Sequence, residues 1–418
     1  MPTTEERLAA LEAKMAQLTD TRPTTYYTHQ YSGEEIDAAT GRALTGGALD
    51  TSVTNVSNQL GTFVRPNLLD NWYFGNPVDQ RGGKIIQSGV NIYTDSTLKT
   101  LIGPAAYACP VVELTSTYAK VQDAKNTGSY YYAAPADVVR GYTGNQAFII
   151  DRWRMRGDGV SIEIEDDGLV INCDGKSFNS IVQAYESPKT LLGEKVTYSV
   201  LVTENTNTTN CYIAIGSGNM SAAAGTELGR YTFSGTGLFS FTLDLPATMP
   251  NNYLTFIICA GNPSTNGARF KVAVAKLELG PTQTLAHQDA AGNWVLNEVP
   301  EYGEQLRRCQ RYAIDLHGPT NYGVLGSGVA RSTDRALIFC PLPVSMRVTP
   351  VATFGGSLTL ASNADAGRGY VVTAVNVDHI NSNGITLNVD TAGLTISTVY
   401  QLWRQGDASA HILLSADL

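Results

Sequence analysis

Val160-Ser161-Ile162-Glu163-Ile164-Glu165-Asp166-Asp167-Gly168-Leu169-Val170-Ile171 decides the reading of the fold. Val160, Ile162 and Ile164 alternate with Ser161, Glu163 and Glu165, so one side of the segment is apolar and the other polar, the period of a half-buried strand. Asp166-Asp167-Gly168 supplies a turn and Leu169-Val170-Ile171 a returning strand, which predicts a hairpin. The same alternation recurs at Val196, Tyr198, Val200 and Val202, at Phe239, Phe241, Leu243 and Leu245, and at Phe270, Val272 and Val274. After Val274 the apolar phase moves by one to Leu277 and Leu279, which predicts a β-bulge near Ala275-Lys276. Past Gly280-Pro281 and a weak linker at 289–293, Glu301 to Cys309 reads as a short helix with Leu306 and Cys309 on one side. Leu337-Ile338-Phe339, Val371 to Val377, Ile385 to Val389 and Ile412 to Leu414 then read as further strands.

The bulk numbers agree with many short strands. The chain has 418 residues, too many for one ordinary core. Charged residues are only 16%, while 40 Gly and 17 Pro interrupt the sequence often, which disfavours long helices. A net charge of −9 without Lys/Arg clusters argues against nucleic acid as a partner. The longest apolar runs, such as Phe256 to Ala260, fall far short of the ~20 residues that cross a bilayer, so no membrane insertion is expected. Met1-Pro2-Thr3-Thr4-Glu5-Glu6 has neither the basic start nor the apolar stretch of a secretory signal, so synthesis is expected to end in the cytosol. Six cysteines without a CxxC pair read as buried thiols.

At the N-terminus, Thr3 and Glu6 have capping-box spacing, and Leu8, Leu11, Met15 and Leu18 follow as one apolar seam on a helix over 1–20. So short a helix is marginal alone, which makes the seam an oligomerisation candidate. Residues 21–63 are polar and read as a stalk or attachment linker. The expected architecture is mainly β: a short N-terminal coiled-coil helix followed by two antiparallel β-sandwich, jelly-roll-like domains at 64–288 and 300–418.

The search for chemistry gives no catalytic residue, metal site or cofactor. Gly175-Lys176-Ser177 has the tail of a phosphate-binding loop, but Val170 stands where the first glycine belongs. There is no nucleophile elbow, no metalloprotease helix motif and no complete EF-hand loop. Glu163, Glu165, Asp166 and Asp167 are the densest carboxylates, the residue type a glycosidase uses in pairs. Alternation nevertheless puts the two glutamates on a solvated strand face and the aspartates in a turn.

Aromatic residues are the better lead, because a sugar offers an apolar C–H face that packs on a ring while its hydroxyls seek polar groups. The chain has 21 Tyr against 11 Phe, a ratio that favours rings whose hydroxyls reach water or a ligand. Tyr130, Tyr131 and Tyr132 are the densest cluster, and consecutive strand residues point to opposite faces, so at most two share a surface. Trp153 between Arg152 and Arg154, with Tyr322 and Tyr370 beside glycines, completes the candidate glycan-binding set. Trp403 reads as a core residue.

Five stretches carry a family resemblance. Asn67-Leu68-Leu69-Asp70-Asn71-Trp72-Tyr73-Phe74-Gly75-Asn76-Pro77-Val78-Asp79-Gln80-Arg81-Gly82, with Ile150-Asp151-Arg152-Trp153-Arg154, resembles the opening of the carbohydrate-binding-module-like jelly roll of bacteriophage tail-fibre and baseplate proteins. Ala275-Lys276-Leu277-Glu278-Leu279-Gly280 is similar to the last strand of that domain. Glu304-Gln305-Leu306-Arg307-Arg308-Cys309-Gln310-Arg311-Tyr312 is similar to a signature before the C-terminal fibre domain, and Ile412-Leu413-Leu414-Ser415-Ala416-Asp417-Leu418 resembles the acidic-leucine terminus. The resemblance implies a non-enzymatic, homotrimeric virion fibre, a tail fibre or receptor-binding protein. It would be made in the host bacterial cytoplasm, attach to other virion proteins through its N-terminal region and act outside the cell on a bacterial surface glycan. A structural head fibre or capsid decoration protein is the alternative. A depolymerase tailspike is less expected, since its β-helix repeat is not found.

Overall fold

The computed structural model describes residues 65–417 except 124, 145–146, 158–159, 187, 219–224, 250–252, 318–322, 363–368, 405–406 and 408–409. The seam of Leu8, Leu11, Met15 and Leu18, the linker 21–63 and Tyr322 lie outside the described residues. Those described fall within one compact unit, Val64–Leu418. No helix among them is long and apolar enough to cross a membrane.

The decisive hairpin forms as its alternation requires. Ser161–Glu165 pairs antiparallel with Gly168–Asn172, Glu165 opposite Gly168 and Ile162 opposite Ile171. These strands lie inside a 12-stranded sheet whose first half runs Gly237–Asp244, Lys195–Asn205, Arg269–Leu279, Gly168–Asn172, Ser161–Glu165, Val138–Thr143. A five-stranded sheet completes the sandwich in the order Thr226–Phe233, Cys211–Ser217, Leu254–Gly261, Asn179–Tyr185, Arg154–Arg156. Trp72, Phe74, Trp153, Tyr198, Phe256 and Phe270 are buried in the core that the two sheets share. Phe74 meets Trp153 edge-on at 5.2 Å, and Tyr198 meets Phe256 at 5.6 Å, the arrangement that ring quadrupoles favour.

The bulge lies two residues earlier than its prediction. Leu201 faces Val274 but Val202 faces Val272, so Ala273 is the extra residue on the strand Arg269–Leu279. Lys276 and Glu278 are buried on that strand although charged. The Lys276 ammonium lies 3.0 Å from Thr284 Oγ1 and 3.4 Å from Glu298, and Glu278 accepts from the Thr284 backbone N–H at 2.7 Å.

Beyond Val138–Thr143 the large sheet continues through Lys84–Ile86, Cys109–Leu114, Ala119–Gln122, Tyr130–Ala133, Asn91–Tyr93 and Leu101–Pro104. This inserted sheet has its own small core of Ile86, Ile92, Ala105, Cys109, Val121 and Ala133. It escapes sequence reading because its strands have only three to six residues, too few for a period to show.

Toward the C-terminus, Ala286–Gln288 pairs with Trp294–Leu296, and a helix follows at Tyr302–Gln310. The Glu301 carboxylate caps the helix by accepting from the backbone of Gly303 and Glu304. Gln305 and Cys309 are buried, Leu306 is partly buried, and all three lie toward one side, since residues three and four apart share a helix face. The last core, with Ile338, Leu360, Leu387, Tyr400, Leu402, Ile412 and Leu414, has a three-stranded and a seven-stranded sheet around it. In the smaller sheet His411–Ser415 is central, between Ala313–Leu316 and Val351–Gly355. Trp403 is corrected from core to half-exposed, its indole N–H donating to Gln401 at 3.1 Å. All six cysteines are buried free thiols.

Candidate functional site

Four of the stretches that carry the family resemblance converge on a largely buried junction. Asp70 binds Arg152 at 3.1 Å and Arg308 at 2.7 Å. The Arg152 guanidinium lies 3.4 Å over the Tyr312 ring and donates to the Ala184 carbonyl at 2.6 Å. Arg81 bridges Asp151 at 2.8 Å and Asp417 at 2.5 Å, while Gln80 donates to Asp151 and, at 2.8 Å, to the Ala313 carbonyl. Asn71, at φ 50°, donates to the carbonyls of Val78 and Asp151, and its backbone N–H reaches Gln305. These groups join the sandwich, the helix and the C-terminal strands; they present little to solvent.

Burial pushes the Asp151 carboxyl up to about 7; Arg81 opposes the rise, and Asp417 and Asp79 add to it. A carboxyl that holds its proton more tightly when folded contributes stability that is complete below its unfolded value near about 4 and is lost as pH rises to about 7. Asp151→Asn should therefore remove a decline in stability between those pH values. Thermal unfolding of both proteins across the range measures it, and parallel curves would refute it.

Of the predicted glycan-binding residues, Trp153 is fully buried, its indole N–H donating to the Asn71 carbonyl at 3.0 Å, so it offers no ligand surface. Tyr370 is 7% exposed and packs edge-on against Tyr400 at 5.7 Å, also as core. Both corrections have one cause: flanking arginines or glycines signal a wet neighbourhood but do not decide which way the ring points.

The tyrosine triplet divides as strand geometry demands. Tyr131 pairs with Val121 and packs on the small core, its hydroxyl donating to Asp123 at 3.3 Å. Tyr130 and Tyr132 take the opposite, outer face. Cross-strand register brings Tyr93 opposite Tyr132, and Tyr118 meets the Tyr132 ring edge-on at 5.4 Å. Lys120 covers Tyr130 at 4.6 Å, and the Tyr118 hydroxyl donates to Glu113 at 2.6 Å, which raises its pKa. Four rings thus share one solvent-facing side of the inserted sheet, next to Lys120 and Glu113. Tyr93 and Tyr118 were not legible in sequence, since only the topology brings them to the triplet.

A second feature was missed altogether. Where the inserted sheet meets the outer face of the sandwich, a cleft of about 830 Å³ is lined by Gln87, Tyr107, Lys125, Glu163, Lys176 and Arg269, among others. Glu163 accepts from Gln87 at 2.5 Å and from Asn172 at 3.0 Å, and Arg269 bonds to Glu165 at 2.7 Å and to Glu204 at 3.0 Å. The glutamates read as a solvated face are therefore paired. Gly175 sits at φ +79° with Asn266 so near that an added Cβ would stand 2.9 Å from it. The supposed tail of a phosphate loop is thus a tight turn that delivers Lys176 to the cleft. Among the described residues no group of three or more metal-ligating side chains is gathered.

No family model and no curated protein matches the chain. Among solved structures it is similar to a family 4 carbohydrate-binding module, at 13% identity and TM-score 0.24 over 31% of this chain and 79% of that one. The CBM22-1 xylan-binding domain of Paenibacillus barcinonensis Xyn10C aligns at 11% identity and TM-score 0.23, over 31% of this chain and 87% of the other. Discoidin II of Dictyostelium discoideum aligns at 10% identity and TM-score 0.17, over 62% and 83%. Likenesses this weak assign neither a family nor a ligand.

Proposed function

We propose that the chain binds a bacterial surface glycan, without covalent chemistry, on the outer tyrosine face of its inserted sheet. The observation that supports this is the gathering of Tyr93, Tyr118, Tyr130 and Tyr132 on one solvent-facing side, beside a lysine and a carboxylate. Rings pack on the C–H faces of sugars, and the charged neighbours and phenolic hydroxyls exchange hydrogen bonds with sugar hydroxyls. Following the sequence resemblance, we further propose a phage virion role, as a homotrimeric tail fibre or receptor-binding protein, where linked weak sites would gain ~10²–10⁴ in avidity.

Tyr130→Ala together with Tyr132→Ala should weaken glycan binding by the full chain about tenfold or more, the loss that follows truncation of central aromatic anchors, with the unfolding midpoint little changed. Glycan arrays and calorimetry read this directly. Silence across host cell-wall and capsule glycans, or binding that survives the double substitution, overturns the assignment.

A second reading, a structural head fibre or capsid decoration protein, draws support from the junction, since the stretches that carry the resemblance build architecture and not a surface. Labelled antibodies on whole particles separate the two: head signal without tail signal selects the structural reading.

A further inference from the structure

We infer that the cleft between the inserted sheet and the sandwich is a second ligand site, built for a saccharide that bears an acid group. Its floor is a connected set of planar polar groups. Ser161 donates to Gln87 at 3.1 Å, Gln87 and Asn172 both donate to Glu163, and Arg269 lies 3.7 Å from Glu163. These bonds fix the amides in place before any ligand arrives, so little order is lost on binding. A row of fixed amides and hydroxyls suits a polyhydroxylated ring.

The floor holds its charges in one bonded network with carboxylates in excess, Arg269 serving Glu163, Glu165 and Glu204 and Lys271 serving Glu165 and Asp167, so an acid group is kept off the floor. Positive charge outside that network stands at the rim. Lys125, from the inserted sheet, is exposed and lies 4.8 Å over the Tyr107 ring, which holds the ammonium in position by cation–π attraction. Among the described residues no carboxylate pairs with it. Lys176 reaches the cleft from the sandwich, but Asp174 sits 3.5 Å away and takes up part of its charge. Lys125 therefore carries most of the discrimination, and the complementary group is a carboxylate or phosphate on the sugar. With a volume of about 830 Å³ the cleft matches the size of small-ligand sites.

The inference rests on the chain being a glycan binder only for the saccharide class; the site and its residues are independent of the tyrosine face. The test is calorimetry on the full chain with three probes: a neutral oligosaccharide, its uronate counterpart and a phosphorylated counterpart. At least one acidic probe should bind about tenfold more tightly than the neutral one, the size of one charge-assisted hydrogen bond, and which one does identifies the acid. The preference should shrink as salt rises. Lys125→Ala should bring acidic and neutral probes to near parity, while the double substitution of Tyr130 and Tyr132 leaves the preference intact. Equal binding of all probes, or a preference that survives Lys125→Ala, overturns the inference. Acidic binding that persists in the tyrosine variant when neutral binding is lost supports both sites. Acidic binding to a wild type that ignores neutral glycans supports this site and removes the other.

Discussion

Arg81→Ala should destabilise the folded unit by about 3–5 kcal/mol above pH 7, where both acids are ionised in the wild type, and by less in mild acid, where Asp151 holds its proton, because it leaves two acids with almost no access to water without their cation. Asp151 and Asp417 have side-chain exposures of 0% and 3%, and Arg81 is their common partner. With the guanidinium gone, Asp151 keeps Gln80 as a donor and Asp417 keeps Ser415. Neither replaces a full positive charge. Arg81→Lys should fall between wild type and alanine, since an ammonium restores charge but not the fork that reaches both acids. Asp417→Asn alone should cost less, since Arg81 then keeps Asp151. Denaturant unfolding followed by near- and far-ultraviolet circular dichroism checks the series, and a shift below about 1 kcal/mol for Arg81→Ala would show that the bridge does not hold the junction.

Trp153→Ala is expected to cost about 3–5 kcal/mol and to leave the glycan affinity of the remaining folded protein unchanged. The ring is fully buried, edge-on to Phe74, and its N–H donates to the backbone carbonyls of Asp70 and Asn71. Trp153→Phe retains most of the volume but loses that donor, which should cost about 1–3 kcal/mol. The pair of variants separates packing from hydrogen bonding. An alanine variant that unfolds like wild type yet binds no glycan would reinstate Trp153 as a ligand platform.

The sandwich was readable where strands are long and have one wet side. Val160 to Ile171 and Val196 to Val202 have enough residues for the period to declare itself, and their register follows. The inserted sheet was not, since a strand such as Lys84–Ile86 holds too little pattern to distinguish it from a loop. Alternation showed that at most two of Tyr130, Tyr131 and Tyr132 share a surface, and Tyr93 and Tyr118 join that surface only through pairing across strands. The cleft draws on residues from Gln87 to Arg269, a span no local motif can bridge. The arginines beside Trp153 misdirected the reading for a physical reason: Arg152 is itself buried, satisfied by Asp70, Ala184 and the Tyr312 ring. Sequence shows that a charge is present; its partner, 82 positions away in the case of Asp70, decides whether it faces water.

His411–Ser415 lies at the centre of its sheet, and Asp417 just beyond it closes on Arg81. During translation the strands Ala313–Leu316 and Val351–Gly355 leave the ribosome with no neighbour on the sides where residues 411–415 belong. Each then carries a bare row of amides until that late segment arrives. Pairing in this region therefore waits on residues 411–415 and is governed by loop closure across about a hundred residues and, for the Arg81 contact, over three hundred. Nascent chains stalled before position 411 would be the species most open to mispairing with one another.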